Sequence, residues 1–212
     1  YCWPALGRYR GHDGFNGQGA WGLYRATAKD YTHGKDGVIT TPQQDTLKKT
    51  KNKQVGFLMD HEDVWRFTVE MYGRDGVAPL FLTLQERCGL DVNMMLFMFY
   101  LGQKGRAPHS ISALEMAVKD WRDKVIIPLR QTRRYLKNQS RETAQALRQK
   151  VKSDELQAER IEQHILCDAV ETIEATDPLA AAHAYLSPNR FDLTQAECDD
   201  AFDQLCRLMG LR

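Results

Sequence analysis

The sequence has neither a C-x-x-C pair nor an apolar run long enough to cross a membrane. Its five cysteines are scattered, and an odd number leaves at least one thiol unpaired within the chain, which predicts free thiols in a reducing compartment. The longest strongly apolar run is Met94–Leu101, far short of the roughly 20 residues of a membrane span. No signal-peptide pattern opens the chain. We therefore predict a soluble cytoplasmic protein.

A large excess of one charge sign is also missing, since the formal net charge is +1. This excludes a protein that coats nucleic acid over its whole surface. The balance hides an asymmetry, because residues 122–152 carry ten basic and two acidic side chains, whereas residues 153–203 carry two basic and 13 acidic ones.

A basic stripe lies in the first of these segments. Its members recur at three- and four-residue spacing and so share one side of a helix: Arg130, Arg133, Arg134, Lys137 and Arg141. The chain's own acidic helix, an acidic partner protein or a phosphate backbone could each neutralise this stripe. Charge patterning alone leaves the three alternatives open.

Residues 1–57 differ from the rest, with many glycines and few aliphatic residues. Gly17–Gly22 spells G-x-G-x-x-G, but no strand precedes it and no well-capped helix follows, so the pattern does not predict a dinucleotide site. We predict that residues 1–57 are a disordered extension or a non-native leader. The first methionine is Met59, and we expect one helical domain over residues 58–212, with a core bundle at 58–138 and the long charged and C-terminal helices at 139–212.

From residue 58 onward the signals are helical and no alternating β pattern competes, which predicts an all-α bundle of about five to seven helices. Asp60 is the expected N-cap of a first helix that stops at Gly73. A second helix is expected from Ala78, with Pro79 in its first turn and Gly89 at its end. Asp91 caps a third helix that is apolar all round and is therefore predicted to be central.

The later helices are more polar. We predict a capping box at Ser112, opening a fourth helix that is kinked or broken at Pro128. Its expected inward residues are Trp121, Val125 and Leu129. A short helix is expected at 178–186, and a capping box at Thr194 opens the last helix, with Cys198, Phe202, Leu205 and Met209 as its apolar face.

Between these lies a long polar helix predicted over 141–175, with an interruption expected at Ser153 and Asp154 and an end at Asp177-Pro178. Its apolar residues have near-heptad spacing: Leu147, Val151, Ala158, Ile161 and Ile165. The pattern is compatible with a helix that folds back and with a projecting arm. A projecting arm would favour a homodimer through this helix.

Candidate metal and catalytic patterns are weak. Asp199–Asp203 spells D-D-x-x-D, as in magnesium-diphosphate sites, but no second acidic motif faces it and the apolar face turns the aspartates towards solvent. Glu159, Glu162, His164 and Asp168 fit a solvated helix face better than a metal site, since no Glu-x-x-His pair occurs. We expect Cys88, Cys167 and Cys206 to be core thiols. The sequence thus predicts no metal, no cofactor and no catalytic residue.

The most distinctive block is residues 65–102, in which polar residues accompany apolar helices. Asn93 is expected near the core, where its amide needs hydrogen-bond partners. Asp91 and Gln85 could be caps and turn-closing residues, or they could bound a pocket. Together with Tyr72 and Arg74 these three residues are our binding candidates in this block.

The block resembles an uncharacterised family of short helical proteobacterial proteins with the core W-x-F-x-x-x-x-Y-x-R-x-G-V, then L-x-L-Q, then G-x-D-V-N-x-x-L-F-x-x-x-L-G. The matching residues are Trp65, Phe67, Tyr72, Arg74, Gly76, Val77, Leu82, Leu84, Gln85, Gly89, Asp91, Val92, Asn93, Leu96, Phe97, Leu101 and Gly102. The resemblance covers about residues 59–137 and excludes 1–57. The resemblance implies a helical fold and a cytoplasmic location, and it implies no activity.

Function is predicted in order of preference. The leading prediction is a non-catalytic protein-binding or adaptor module with an unidentified protein partner, and with no membrane association. The alternative is an enzyme or a binder of a small anionic ligand, with a pocket bounded by Arg74, Gln85, Asp91 and Asn93. The third is weak RNA binding through the stripe. The stripe's binding candidates are Arg130, Arg133, Arg134 and Lys137.

Overall fold

A computed structural model describes residues 59–211 of the chain. The all-α prediction is confirmed over this range, apart from two three-residue strands. The elements in chain order are α1 (His61–Tyr72), α2 (Val77–Cys88), α3 (Val92–Gln103), β1 (Arg106–Pro108), α4 (Ile111–Trp121), a π-helical turn (Arg122–Ile126), α5 (Ile127–Lys137), α6 (Glu142–Ala169), β2 (Thr172–Glu174), α7 (Ala180–Tyr185) and α8 (Gln195–Leu208).

Each of the first three helices begins or ends at a capping residue that the sequence predicts. The Asp60 carboxylate accepts hydrogen bonds from the first backbone N–H groups of α1. Gly89 ends α2 in the left-handed region, which glycine adopts without steric cost. The carboxylate of Asp91 accepts the N–H of Met94 and so begins α3.

Helix α3 forms the centre of the fold, as its all-round apolar sequence predicts. Every residue from Val92 to Gly102 is buried. It packs against α1, α6 and α7, so all its faces meet other elements. Among residues 59–211, no helix combines the length and the apolar character that crossing a membrane requires.

The predicted capping box at Ser112 is wrong, because α4 has a different N-cap residue. The N-cap is Ser110, whose hydroxyl accepts the N–H of Ala113, so the helix begins before Ser112. The carboxylate of Glu115 instead binds the guanidinium of Arg190 at 3.2 Å. A serine two residues earlier, already in extended geometry, takes the cap.

The predicted interruption at Pro128 takes the form of the π-helical turn just before it. The chain continues from α4 into α5, and Pro128 lies in the first turn of α5, where a missing N–H is tolerated. The extra residue of a π-helical turn shifts the helix register. Consequently Trp121, Val125 and Leu129 are only half-buried, and Ile126 is buried instead.

Helix α6 is continuous through Ser153 and Asp154 and ends at Ala169, so the predicted interruption and the predicted end at 175 are both wrong. The chain leaves the helix because Thr172–Glu174 pairs antiparallel with Arg106–Pro108. A pairing partner so distant in sequence leaves no local signal.

Helix α6 folds back onto α5 and α4 and also contacts α1 and α3. Its inward stripe differs from the predicted heptad, since Leu147 and Ile161 are exposed. The buried stripe contains two acids among its apolar members: Val151, Glu155, Ala158, Glu162 and Leu166.

The last two helices agree with prediction. Thr194 and Glu197 form the expected capping box of α8. The expected apolar face of this helix is buried: Cys198, Phe202, Leu205 and Met209. Phe202 stacks on Phe99 of α3, with ring centroids 5.9 Å apart.

Candidate functional site

The inner side of the basic stripe is neutralised within the chain. The Arg130 guanidinium donates to the carboxylates of Glu155 and Glu159, at 3.0 and 3.1 Å. Arg133 also donates to Glu155, with one contact at 3.2 Å. Burial raises the pKa of Glu159 to about 7, even though Arg130 opposes that shift. These two arginines therefore hold α5 against α6 and are already engaged by acids of the chain.

The outer side of the stripe lies on the surface. Arg134 is 49% exposed and binds the exposed carboxylate of Glu86 on α2. Tyr135 is 69% exposed and Leu147 on α6 is 50% exposed. Lys137 is exposed at the end of α5. We call residues 131–152, the end of the α5–α6 pair, the basic hairpin; it carries seven basic side chains and one acidic one.

A buried polar cluster joins α1, α3 and α6. The Asn93 amide donates to the Glu162 carboxylate at 2.6 Å. The Gln163 amide donates to the Thr68 hydroxyl at 2.8 Å and to the Asn93 carbonyl oxygen at 3.4 Å. All four side chains are buried. Asn93 thus finds the partners that its burial requires.

Asp91 borders this cluster and combines two contacts. One oxygen caps α3, and the other accepts from the Arg122 guanidinium at 3.5 Å. Burial, followed by the negative charge of Asp91, raises the pKa of Glu162 well above its usual range. The surroundings of Glu162 therefore favour the protonated, uncharged form of its carboxyl group.

The predicted pocket of Arg74, Gln85, Asp91 and Asn93 is not assembled. Arg74 donates to the Met209 carbonyl oxygen and to Glu70. It lines an open cleft of about 180 Å³ between α1, the end of α3 and residues 209–211, and none of the other three residues lines that cleft. Gln85 is half-buried on α2.

Tyr72 lies in the core outside this cleft, whereas Asp63 lines the cleft. Tyr72 is a core residue whose ring stacks on Phe81 at 6.1 Å. In the cleft, Asp63 accepts hydrogen bonds from Arg66 and from the Tyr100 hydroxyl and binds Lys104 at 2.7 Å. The cations that line the cleft are consequently already bound to acids or to a carbonyl oxygen.

The remaining candidates from the sequence are three cysteines in or near the core and Asp199, which forms a surface ion pair. Cys167 and Cys206 are buried and Cys88 is half-buried, and burial raises the pKa of Cys167 to about 12. Asp199 binds His183 at 2.9 Å on the exposed side of α8. Across residues 59–211, no group of three or more His, Cys, Asp or Glu side chains is arranged to hold a metal ion.

Two candidates remain, His164 and the glycine motif. His164 stacks on His61, which binds Asp168 at 2.9 Å. The glycine motif at 17–22 lies outside the described residues.

Sequence reasoning did not single out Glu155, and its placement of Glu159 and Glu162 on a solvated helix face is wrong, since Glu159 binds Arg130 and Glu162 is buried. Glu155, Glu159 and Glu162 recur at four- and three-residue spacing, which places them on one helix face, and that periodicity was the available signal. Acids on a charged helix usually face solvent, so the same spacing also fits an exposed surface. The sequence analysis did not single out Arg122, because the direction of its side chain depends on the π-helical turn.

These features define an all-α bundle with a buried polar cluster and a basic hairpin. Residues 63–166 match the model of a protein family described as Protein of unknown function (DUF2390). No curated protein and no solved structure matches the chain. The matched range contains both the polar cluster and the basic hairpin.

Proposed function

We propose that this protein is a cytoplasmic, non-catalytic protein-binding module whose partner presents an acidic segment to the basic hairpin. The observation that carries the proposal is the exposure of Tyr135 and Leu147 on the same hairpin as its cations. Tyrosine and arginine are enriched in the energetic centres of protein interfaces, where they combine apolar contact with polar bonds. An acidic amphipathic segment would match both components.

The internal ion pairs support this assignment. Arg130 and Arg133 fix the geometry of the hairpin through Glu155, so its outer face is presented on two packed helices. A rigid surface loses less conformational entropy on binding than a loop does. Nucleic acid is disfavoured relative to protein because the acidic segment at 153–203 leaves the whole chain nearly neutral.

The test is affinity capture from nuclease-treated lysate with the full chain as bait. A charge variant changes Arg134→Glu and Arg141→Glu. The matched control changes Lys119→Glu and Lys124→Glu, whose exposed side chains lie on α4 and the π-helical turn. We expect one protein to be retained by the native chain and the control and to be lost from the charge variant.

Three results would refute this function. The native chain could capture no protein, both variants could retain the same protein, or the captured material could be nucleic acid in untreated lysate. A fluorescent oligoglutamate peptide and a single-stranded RNA of equal charge then separate the polyanions directly. We expect the peptide to bind more tightly than the RNA at the same raised salt concentration, because salt weakens both interactions and RNA binding falls steeply with it.

A second candidate function is the binding of a small ligand in the cleft beside Arg74. The favouring observation is an open space of about 180 Å³ lined by Arg66, Arg74 and Lys104. An anionic ligand would have to displace the acids that already bind these cations. A thermal-shift screen with Arg74→Gln as the negative control tests it, and equal shifts in both proteins would exclude the cleft.

A further inference from the structure

A cluster of cations lies on the side of the hairpin. Arg148 and Lys152 are four residues apart on α6 and therefore share one face. Arg133 of α5 lies close by, because it binds the carboxylate of Glu155, three residues after Lys152 on the same helix. The pKa of Lys152 is lowered, first by burial and then by the positive charges of Arg148 and Arg133. Three cations thus lie within electrostatic reach of one another.

Glu155 pairs with Arg133, and this leaves the charges of Arg148 and Lys152 in excess. Glu155 is the carboxylate that acts on Lys152, and it already accepts hydrogen bonds from both Arg130 and Arg133. Within residues 59–211, neither Arg148 nor Lys152 has an ion-pair partner, and the Nε atom of Arg148 is buried without an acceptor. A buried donor without an acceptor keeps its desolvation cost. The site consequently has excess positive charge and an unused donor.

We propose that Arg133, Arg148 and Lys152 form a binding site for a tetrahedral oxyanion of the phosphate class. A guanidinium offers paired N–H donors that match phosphate oxygens, and a lysine ammonium adds a compact positive charge. An oxyanion here would accept from Arg148 Nε and reduce the repulsion between the cations. The site goes beyond the proposed protein-binding function, because a small anion can occupy it whether or not a protein partner exists.

Two kinds of ligand can supply such an oxyanion: a free inorganic anion, or a phosphate group carried by a larger molecule. The primary test titrates the full chain with inorganic pyrophosphate at constant ionic strength, with chloride as the reference anion. Binding is followed by calorimetry and by the thermal unfolding midpoint. We expect pyrophosphate to raise the midpoint of the native chain and chloride to leave it unchanged.

The variant pair makes the test specific. Arg148→Gln with Lys152→Gln should weaken pyrophosphate binding by at least about tenfold. Without the anion the same variant should unfold at the same or a higher temperature in low salt, because like-charge repulsion is removed. A purely structural role for these side chains would instead lower the midpoint. Lys150→Gln is the matched control, since Lys150 is exposed on the same helix.

Three outcomes would overturn the proposal. They are no pyrophosphate-specific shift in the native chain, an equal loss of binding in Lys150→Gln, and a destabilised double variant that still binds pyrophosphate. A phosphoserine peptide and a 5′-phosphorylated dinucleotide form the other arms. Tighter binding of either one identifies a carried phosphate, whereas equal or weaker binding identifies a free anion.

The two proposals can fail separately. The capture experiment alters Arg134 and Arg141, and the anion titration alters Arg148 and Lys152. A native chain that binds pyrophosphate and captures no protein therefore supports only the oxyanion site.

Discussion

Gly102→Ala is expected to be severely destabilising, because Gly102 brings the central helix into direct contact with the backbone before α7. A Cβ atom added at Gly102 would lie 2.7 Å from the carbonyl carbon of Pro178 and closer still to its oxygen. Neither atom belongs to a flexible side chain. The clash can be relieved only by moving the segment around Pro178 away from α3.

The magnitude follows from what that movement exposes. Overpacking a core costs about 1–3 kcal/mol and sometimes more. Tyr185 and Leu186 are buried beside α3, and exposing a side chain of this kind costs about 1.5–3 kcal/mol. We therefore expect Gly102→Ala to lower the free energy of unfolding by roughly 3–5 kcal/mol.

Gly89→Ala is the matched control. Gly89 has a φ of 73°, and an added Cβ would meet no atom within 4 Å, so the substitution carries only the strain of a left-handed residue, about 1 kcal/mol. Urea denaturation followed by circular dichroism measures both variants. A loss for Gly102→Ala no larger than that for Gly89→Ala would refute the close packing of α3 against this segment.

Other predictions concern charge and capping. Because folding raises the pKa of Glu162, the native protein holds a proton that the unfolded chain releases, and its stability should fall as pH rises above the ordinary pKa of a glutamate. Glu162→Gln should reduce that fall in urea unfolding curves, and identical pH slopes would exclude a protonated Glu162. Arg133→Gln should cost about 3–5 kcal/mol because it leaves Glu155 buried with fewer partners, whereas the exposed Arg134→Gln should change stability by less than about 0.5 kcal/mol. Ser110→Ala should lower the unfolding midpoint through the loss of a cap worth about 1 kcal/mol, and Ser112→Ala should leave it nearly unchanged; the reverse order would restore the capping box at Ser112.

Much of the fold could be predicted because its signals are local. Asp60, Asp91 and Thr194 each bond to backbone groups within the next three residues, so a few neighbouring letters suffice. The uniform apolar character of α3 likewise allows only a central position. Misplacing the start of α4 by one or two residues arose from two serines that compete for the same role.

The candidate site was less predictable. Predicting a site requires knowing which side chains from different helices lie close together. Arg74 and Asn93 occur in one sequence block, but Arg74 binds the Met209 carbonyl oxygen and Asn93 binds Glu162. Four residues of the basic stripe lie on one helix, α5, as predicted, whereas Arg141 follows that helix and is the N-cap of α6. Which members of the stripe point inward depended on the register that the π-helical turn imposes.

The amino-acid sequence by itself determined the helical class, the order of the helices and their caps, because these depend on contacts between near neighbours in the chain. Tertiary structure alone decided that Glu155 meets Arg130 and Arg133, that Glu162 meets Asn93, and that β1 pairs with β2. Spacing along a helix defines a face but does not specify what lies opposite. The energy of a buried charge depends on its partner, and that partner is chosen when distant helices pack together.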